Sequence, residues 1–270
     1  MKKIGIIQGR LSKPFEGFQE CPYNWKREFD LLQELGLNHV EWIVTKERYF
    51  ENPIHSSDLK EFRISSVCAD FLVNKNFLTD EVYWERFNAI CQAAQKNQIS
   101  FITIPLLEGS SVLDDERRKE FIKRMASFSS RYPDLNFSIE AELASESLLE
   151  IVDLFENAYV TYDTGNMTSF GVDHVQYLDR IKHKLNNIHL KDRNRNGESF
   201  LPGAGETDFA LIFNELKRTA YNGVHTNQKT AYNGLYTIQT AREKDGDEKQ
   251  TILNHKKYFK EVYNANKRSF

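Results

Sequence analysis

FSIEAEL, residues 137–143, alternates in character: Phe137, Ile139 and Leu143 fall on one face, and Ser138, Glu140 and Glu142 on the other. Successive side chains of a β-strand point to opposite sides, so this segment reads as a strand with an apolar back and an acidic front. Such a strand suits a sheet with helices outside and a site inside.

The same alternation recurs downstream. Val160 and Tyr162 oppose Thr161 and Asp163; Ile188 and Leu190 oppose Asn187, His189 and Lys191; Tyr236 and Ile238 oppose Thr237 and Gln239. Short segments of strand character run along the whole chain at Ile4 to Arg10, His39 to Val44, Ile64 to Phe71, Phe101 to Leu106, Phe137 to Leu143, Tyr159 to Thr164, Asn187 to Lys191 and Leu235 to Thr240. Charged segments of helical spacing lie between many of them: Trp25 to Leu35, closed by Gly36, then Glu81 to Asn97, Asp114 to Tyr132, Ser145 to Glu156 and Phe209 to Arg218. This βα rhythm predicts an α/β (β/α)8 TIM barrel, and the 270 residues match its usual size. A doubly wound open sheet would alternate similarly, but the convergence of polar strand faces favours the closed form.

No proline-rich, glycine-serine or single-charge linker divides the chain, which reads as a single domain over 1–270. The formal net charge of −3 carries no nucleic-acid footprint. The apolar run after the two N-terminal lysines is too short for a signal-peptide core, and no stretch reaches membrane-spanning length. Three widely spaced cysteines argue against a disulfide framework or a thiolate metal site and place the protein in the cytoplasm.

One repeat stands out. TAYNGVHTNQK, 219–229, is followed at once by TAYNGLYTIQT, 230–240, a tandem duplication with a period of eleven. The second copy has Leu235 and Ile238 where the first has Val224 and Asn227, so the eighth strand belongs to the second copy. The preceding part of 219–234 is read as an added loop.

Active groups in this fold stand at the C-terminal ends of the strands. The last four strands present Glu140, Asp163, His189 and Gln239 there, at intervals of roughly one βα unit. Any one of these is ordinarily a cap or a surface group. Four inward polar residues together would be costly to bury without a cation, so the set points to one divalent ion, a dry ion-pair network being the alternative.

The strings SIEAEL, YDTGN and NIHLKD, in that order and followed by PGAGETDF at 202–209, resemble the xylose isomerase-like TIM barrel superfamily of sugar and sugar-phosphate isomerases and epimerases. IGIIQGRL at the first strand and EW at the second fit the same pattern, so the likeness spans essentially the whole chain. The resemblance implies a metal held by Glu140, Asp163 and His189, with a strand-eight Glu as the fourth ligand. Here TIQTAR puts Gln239 at that position.

Gln offers a carbonyl oxygen but cannot exchange a proton at neutral pH. Family epimerases are expected to use the strand-five and strand-eight carboxylates as a pair of bases, so the resemblance leaves Glu140 as principal base and one partner missing. Glu142 and Lys191, on inward faces, are the candidates for its replacement, against plainer roles in pairing an arginine or neutralising nearby acids. Two carboxylates, an imidazole and an amide oxygen favour Mn²⁺ or Mg²⁺, with Zn²⁺ or Co²⁺ admitted through the histidine.

Around the mouth, Gln8, Arg10, Glu41, Asp70, Asn166, Asp192, Arg193, Glu206 and Arg242 are candidate substrate-binding residues. Arg10, Arg193 and Arg242 suggest a phosphate or carboxylate on the substrate, and Gly203, Ala204 and Gly205 follow strand seven, where barrels often bind phosphate. Surface solvation explains these residues nearly as well. Trp25 is the one tryptophan expected to face a substrate. Trp42 should point outward if Glu41 points inward, Trp84 packs in a helix, and His174 and His183 are surface or structural.

The expected activity is therefore a metal-dependent isomerase or epimerase of a small sugar or sugar phosphate, working without nucleic acid or membrane, and compatible with a homo-oligomer. A metal-dependent lyase or dehydratase on a polyol or keto acid, and a noncatalytic sugar-binding barrel, are the alternatives that Gln239 raises. The endonuclease branch of the superfamily needs histidines at strands three and four, where this chain has Asp70 and Pro105.

Overall fold

The computed structural model describes residues 1, 3–13, 20–218, 221–222, 229–230, 232–242 and 247–265. Eight strands form a closed parallel barrel: β1 (Ile4–Ile7), β2 (Val40–Ile43), β3 (Ile64–Cys68), β4 (Phe101–Leu106), β5 (Asn136–Ala141), β6 (Ala158–Asp163), β7 (Leu185–Leu190) and β8 (Leu235–Ile238). Neighbours in sequence are neighbours in space, and β8 pairs with β1 to close the ring. All eight anticipated strands are present. The alternation reaches further than the pairing in β1 and β3, because Gln8 to Arg10 turn away and Asp70–Leu72 form a 3-10 turn.

The helices are α1 (Trp25–Glu34), α2 (Glu81–Lys96), α3 (Asp115–Arg131), α4 (Ser145–Val152), α5 (Thr164–Phe170), α6 (His174–Ile181), α7 (Phe209–Arg218) and α8 (Glu248–Ala265). Asp80, Asp114 and Asp173 start α2, α3 and α6 by accepting hydrogen bonds from first-turn amides, satisfying donors that a helix leaves unpaired. Helices α5, α6 and α8 are absent from the periodicity reading. TGNMTSF, which forms α5, consists of residues with poor helix propensity apart from Met167, and this helix is held by its cap and by packing on β6 and β7.

Ile6, Val40, Trp42, Val67, Ile104, Ile139, Tyr162, Ile188 and Ile238 share one buried layer with Leu32, Phe87, Phe121, Leu148, Leu178, Ile212 and Phe259 from the helices. The barrel interior is different. Glu41 of β2 bonds Asn187 and His189 of β7, strands separated by β1 and β8, so these side chains meet across the axis. A second, small apolar cluster of Ile7, Ile43 and Cys68 stands apart from the outer layer. Low in the barrel the His39 ring fills the space beside Gly5, where a Cβ would fall 2.3 Å from its Cδ2.

β8 comes from the second copy of the repeat. Of the segment ahead of it, Tyr221–Asn222 and Lys229–Thr230 pair as a two-residue antiparallel ladder, while 219–220, 223–228 and 231 lie outside the described residues.

Candidate metal centre

Strand register puts three donors together. Asp163 and His189 are direct partners across β6 and β7, and Glu140 ends the inward row of β5. Glu140, Asp163 and His189 each offer one ligand atom within 4.8 Å of the others, and all three are buried. The sequence of β6 gives Asp163 two tasks. Its Oδ1 accepts the Asn166 amide at 2.8 Å and so caps α5, while Oδ2 has no hydrogen-bond partner among the described residues. Glu140 Oε1 accepts from Asn166 Nδ2 at 3.2 Å, and its Oε2 faces His189 Nδ1 at 3.4 Å, out of hydrogen-bond geometry.

His189 is oriented from behind. Its Nε2 lies 2.8 Å from Glu41 Oε2, and Glu41 is fixed in turn by Asn187 Nδ2 at 3.0 Å and Thr103 Oγ1 at 2.6 Å. Thr237 Oγ1 donates to Asn187 Oδ1 at 3.0 Å and lies 3.2 Å from His39 Nε2, extending the chain to the bottom of the barrel. With the Nε2 proton directed at Glu41, Nδ1 is aimed at Glu140 and Asp163, and its lone pair would meet a cation there once the Nδ1 proton is lost. A carboxylate behind a ligating imidazole sets its tautomer and raises its basicity. Burial opposes charge on His189, and Glu41 and Glu140 on either side overcome it, pushing its pKa well above the usual value. Two buried carboxylates and an imidazole, with Asp163 Oδ2 and His189 Nδ1 unbonded, fit a divalent cation, and the cluster can bind one.

Above the cluster opens a cavity of about 650 Å³ lined in part by Glu140, Lys191, Arg193, Gln239, Cys68 and Asp70. Gln239 is on this wall, two residues beyond Thr237, the register partner of His189. Lys191 Nζ is 3.3 Å from Asn166 Oδ1 and 3.8 Å from Asp163 Oδ2. Glu142 is half-buried, 4.0 Å from Arg193 Nη1, and burial foremost raises its pKa.

Several mouth candidates have other partners. Glu41 is completely buried against His189, below the cavity. Asp192 is also fully buried, and its carboxylate accepts the amides of Gly203, Gly205 and Thr207 at 2.8, 3.0 and 3.1 Å. The glycine-rich turn expected to cradle phosphate therefore wraps an internal carboxylate, so tightly that a Cβ on Gly205 would lie 2.3 Å from Asp192 Oδ1. Arg10 Nε donates to the Thr240 carbonyl, and Arg242 to the carbonyls of Ser12 and Gly9. Burial, then the charge of Arg242, lowers the Arg10 pKa to about 9. Both arginines tie β1 to β8 through main-chain oxygens.

Gln8 is buried and accepts the Ile43 amide. Glu206 is turned outward and accepts the Arg195 amide at 3.1 Å. Trp25 is a correction: it packs edge-on against Trp42 and Phe62 beneath α1 and belongs to the core. Trp42 points outward, opposite Glu41, and Trp84 is core. His174 is buried against Tyr162 and Thr168, and His183 pairs at the surface with Asp153. Sequence reading missed the supporting roles of Thr103 and His39; the inward position of Thr103 on β4, and that of His39 just ahead of β2 and two residues before Glu41, were the available signal.

A model of the xylose isomerase-like TIM barrel family matches residues 29–228. No curated protein matches the chain significantly. Among solved structures, L-ribulose 3-epimerase superposes with a TM-score of 0.74 at 12% identity, covering 99% of this chain and 96% of that one. The IolI protein with a bound zinc atom gives 0.70 at 13%, covering 99% and 100%. The 3-keto-D-glucoside 4-epimerase YcjR from E. coli gives 0.69 at 16%, covering 96% and 99%. At these identities the likeness establishes the fold.

Proposed function

Because the chain belongs to the xylose isomerase-like TIM barrel family, we propose that it is a divalent-metal-dependent isomerase or epimerase of a small sugar, with Glu140 as the principal base. The observation that carries this reading is the convergence of Glu140, Asp163 and His189 into one buried cluster whose Glu140 lines a cavity large enough for a sugar. The names of the similar structures, an L-ribulose 3-epimerase and a keto-glucoside 4-epimerase, agree with it.

Glu140, Asp163 and His189 would hold the ion, with the Gln239 amide oxygen as a fourth ligand; Mn²⁺ or Mg²⁺ suits this set best, and Zn²⁺ or Co²⁺ is admitted by the imidazole. When bound, such an ion supplies the positive charge that polarises a substrate carbonyl and acidifies the adjacent C–H. Glu140 takes that proton. Asn166 orients the carboxylate by donating to Oε1, leaving Oε2 as the basic oxygen. Lys191, at the cavity wall between Asn166 and Asp163, balances the acidic cluster and donates to a substrate hydroxyl. Arg193 holds Glu142 at the rim.

An unphosphorylated sugar fits better than a phosphate ester. The amides of Gly203, Gly205 and Thr207 are engaged by Asp192, and Arg10 and Arg242 by carbonyls. A lyase or dehydratase acting on a polyol or keto acid is the second reading, favoured by Gln239, because elimination can proceed with one base. Among the described residues no helix is long and apolar enough to cross a membrane; we place the activity in the cytoplasm.

The test is proton exchange by NMR in D₂O with Mg²⁺-loaded protein and a panel of free ketoses, ketose phosphates and inososes. Metal-dependent deuterium incorporation beside the carbonyl, lost in Glu140→Gln, is expected. No exchange with any compound while the metal site is filled would overturn the isomerase reading.

A further inference from the structure

Gln239 leaves a two-sided proton transfer short of one carboxyl group, and the cavity contains another. Asp70 opens the 3-10 turn that directly follows β3. The turn is pinned by Phe71 N to Val44 O and Leu72 N to Ala69 O, with Phe71 and Leu72 buried beneath it. This anchoring turns Asp70 to the cavity, whose wall it shares with Glu140, Lys191 and Gln239. Among the described residues the Asp70 carboxyl has no hydrogen bond and no ion pair, although Lys46, Arg48 and Lys191 line the same space. Every other carboxylate of the buried cluster is engaged: Glu41 by His189, Asn187 and Thr103, Glu140 by Asn166, Asp163 by the α5 amide.

Resting on the epimerase form of the reading above, we infer that Asp70 is the second proton-transfer residue, a carboxylic acid that returns a proton to the face of the substrate carbon opposite Glu140. β3 and β5 flank β4, so the two carboxyl groups reach the cavity from separate walls with Pro105 between them.

The transfer is balanced. Glu140 carboxylate takes the proton, the C–H electron pair moves toward the carbonyl, and the carbon becomes planar. The Asp70 O–H bond then breaks, its proton forms the new C–H bond on the other face, and Asp70 is left as carboxylate. Exchange with solvent restores both groups, and no electrons are gained or lost overall.

The protonation state suits the role. Burial foremost, then the charges of Glu47, Glu140 and Glu108, raises the Asp70 pKa to about 7. Glu47 lies beyond β2, Glu108 beyond β4, and the Cys68 thiol of β3, itself held neutral by burial, also faces Asp70. An acid that must be protonated to donate loses activity as pH rises through its pKa, so conversion should fall above about 7.

The experiment compares wild type with Asp70→Asn in D₂O, using a ketose that wild type exchanges. Two rates are read separately: deuterium wash-in beside the carbonyl, and conversion to the epimerised product. The expected result is wash-in within about threefold of wild type with conversion reduced at least about 100-fold, and loss of the alkaline fall in the conversion profile. Equal loss of both rates would make Asp70 a positioning residue and overturn the inference, as would full conversion. Unchanged Mn²⁺ affinity and melting temperature guard against a folding defect. Wild type that exchanges no compound would defeat the functional reading itself, a result distinct from failure of Asp70 alone.

Discussion

His189 Nε2 and Glu41 Oε2 lie 2.8 Å apart, both completely buried, on strands from opposite sides of the barrel axis. A buried carboxylate facing an imidazole settles which nitrogen carries the proton, and Nδ1 is left to bind a cation. Glu41→Gln replaces an acceptor by an amide and removes that bias. Isothermal titration with Mn²⁺ should show affinity about 10–100 times weaker than wild type. An unchanged affinity would mean that His189 does not ligate through Nδ1.

Metal binding should also be linked to pH through this pair. Glu41 and Glu140 outweigh burial and raise the His189 pKa, so the metal-free protein holds a protonated imidazole that binding must displace. Lowering the pH therefore weakens binding. Titration at neutral pH in buffers of different ionisation enthalpy should record proton release, and its absence would show the imidazole already neutral.

Asp192 organises the loop that follows β7. Three amides converge on its carboxylate, and each would be left without a charged acceptor in Asp192→Ala. A loss on the order of 3 kcal/mol is expected in urea unfolding, well above that of an ordinary surface change. A loss below about 0.5 kcal/mol would assign the loop's shape to its glycines alone.

Glu28 of α1 is buried under the first loop, accepting from the Gly9 amide and from the Ser12 hydroxyl at 3.1 and 2.9 Å. Burial raises its pKa from 4.5 to about 7. The folded state then binds more protons than the unfolded state between those values, so this group's contribution to stability falls as pH rises through that window. In Glu28→Gln this fall should disappear, so the substitution costs least, or stabilises, at pH 8. Melting curves from pH 5 to 8 that run parallel for both proteins would refute the shift.

The fold was legible because period-two alternation is strong in β5 to β8, where the polar face carries titratable groups whose burial would be costly without a partner. Asp163 and His189 were readable for the same reason, their register placing them side by side. The role of Glu41 was not: nothing local tells that a residue of β2 will meet one 148 positions away until the barrel closes. Asp192 and Arg10 misled differently. They stand at strand ends, where substrate groups are expected, yet their partners are main-chain atoms that no pattern of side chains reveals. Trp25 lies near the first loop in sequence, but helix α1 rotates it onto Trp42.

Gln239 stands where the resemblance implies a Glu, and Gln239→Glu tests what that difference does. The residue is on the cavity wall, so a carboxylate there would add one negative charge facing the Glu140, Asp163 and His189 donors. Cation affinity rises with ligand charge, and an increase of roughly tenfold or more in Mn²⁺ binding is expected, readable by titration without any substrate. The same change supplies a base at strand eight. If Asp70 already performs that half of the transfer, Gln239→Glu should bind metal more tightly without raising conversion, and should restore part of the conversion lost in Asp70→Asn. Tighter metal binding accompanied by a large rise in the conversion of otherwise wild-type protein would instead show that the second proton had no competent donor in the native cavity.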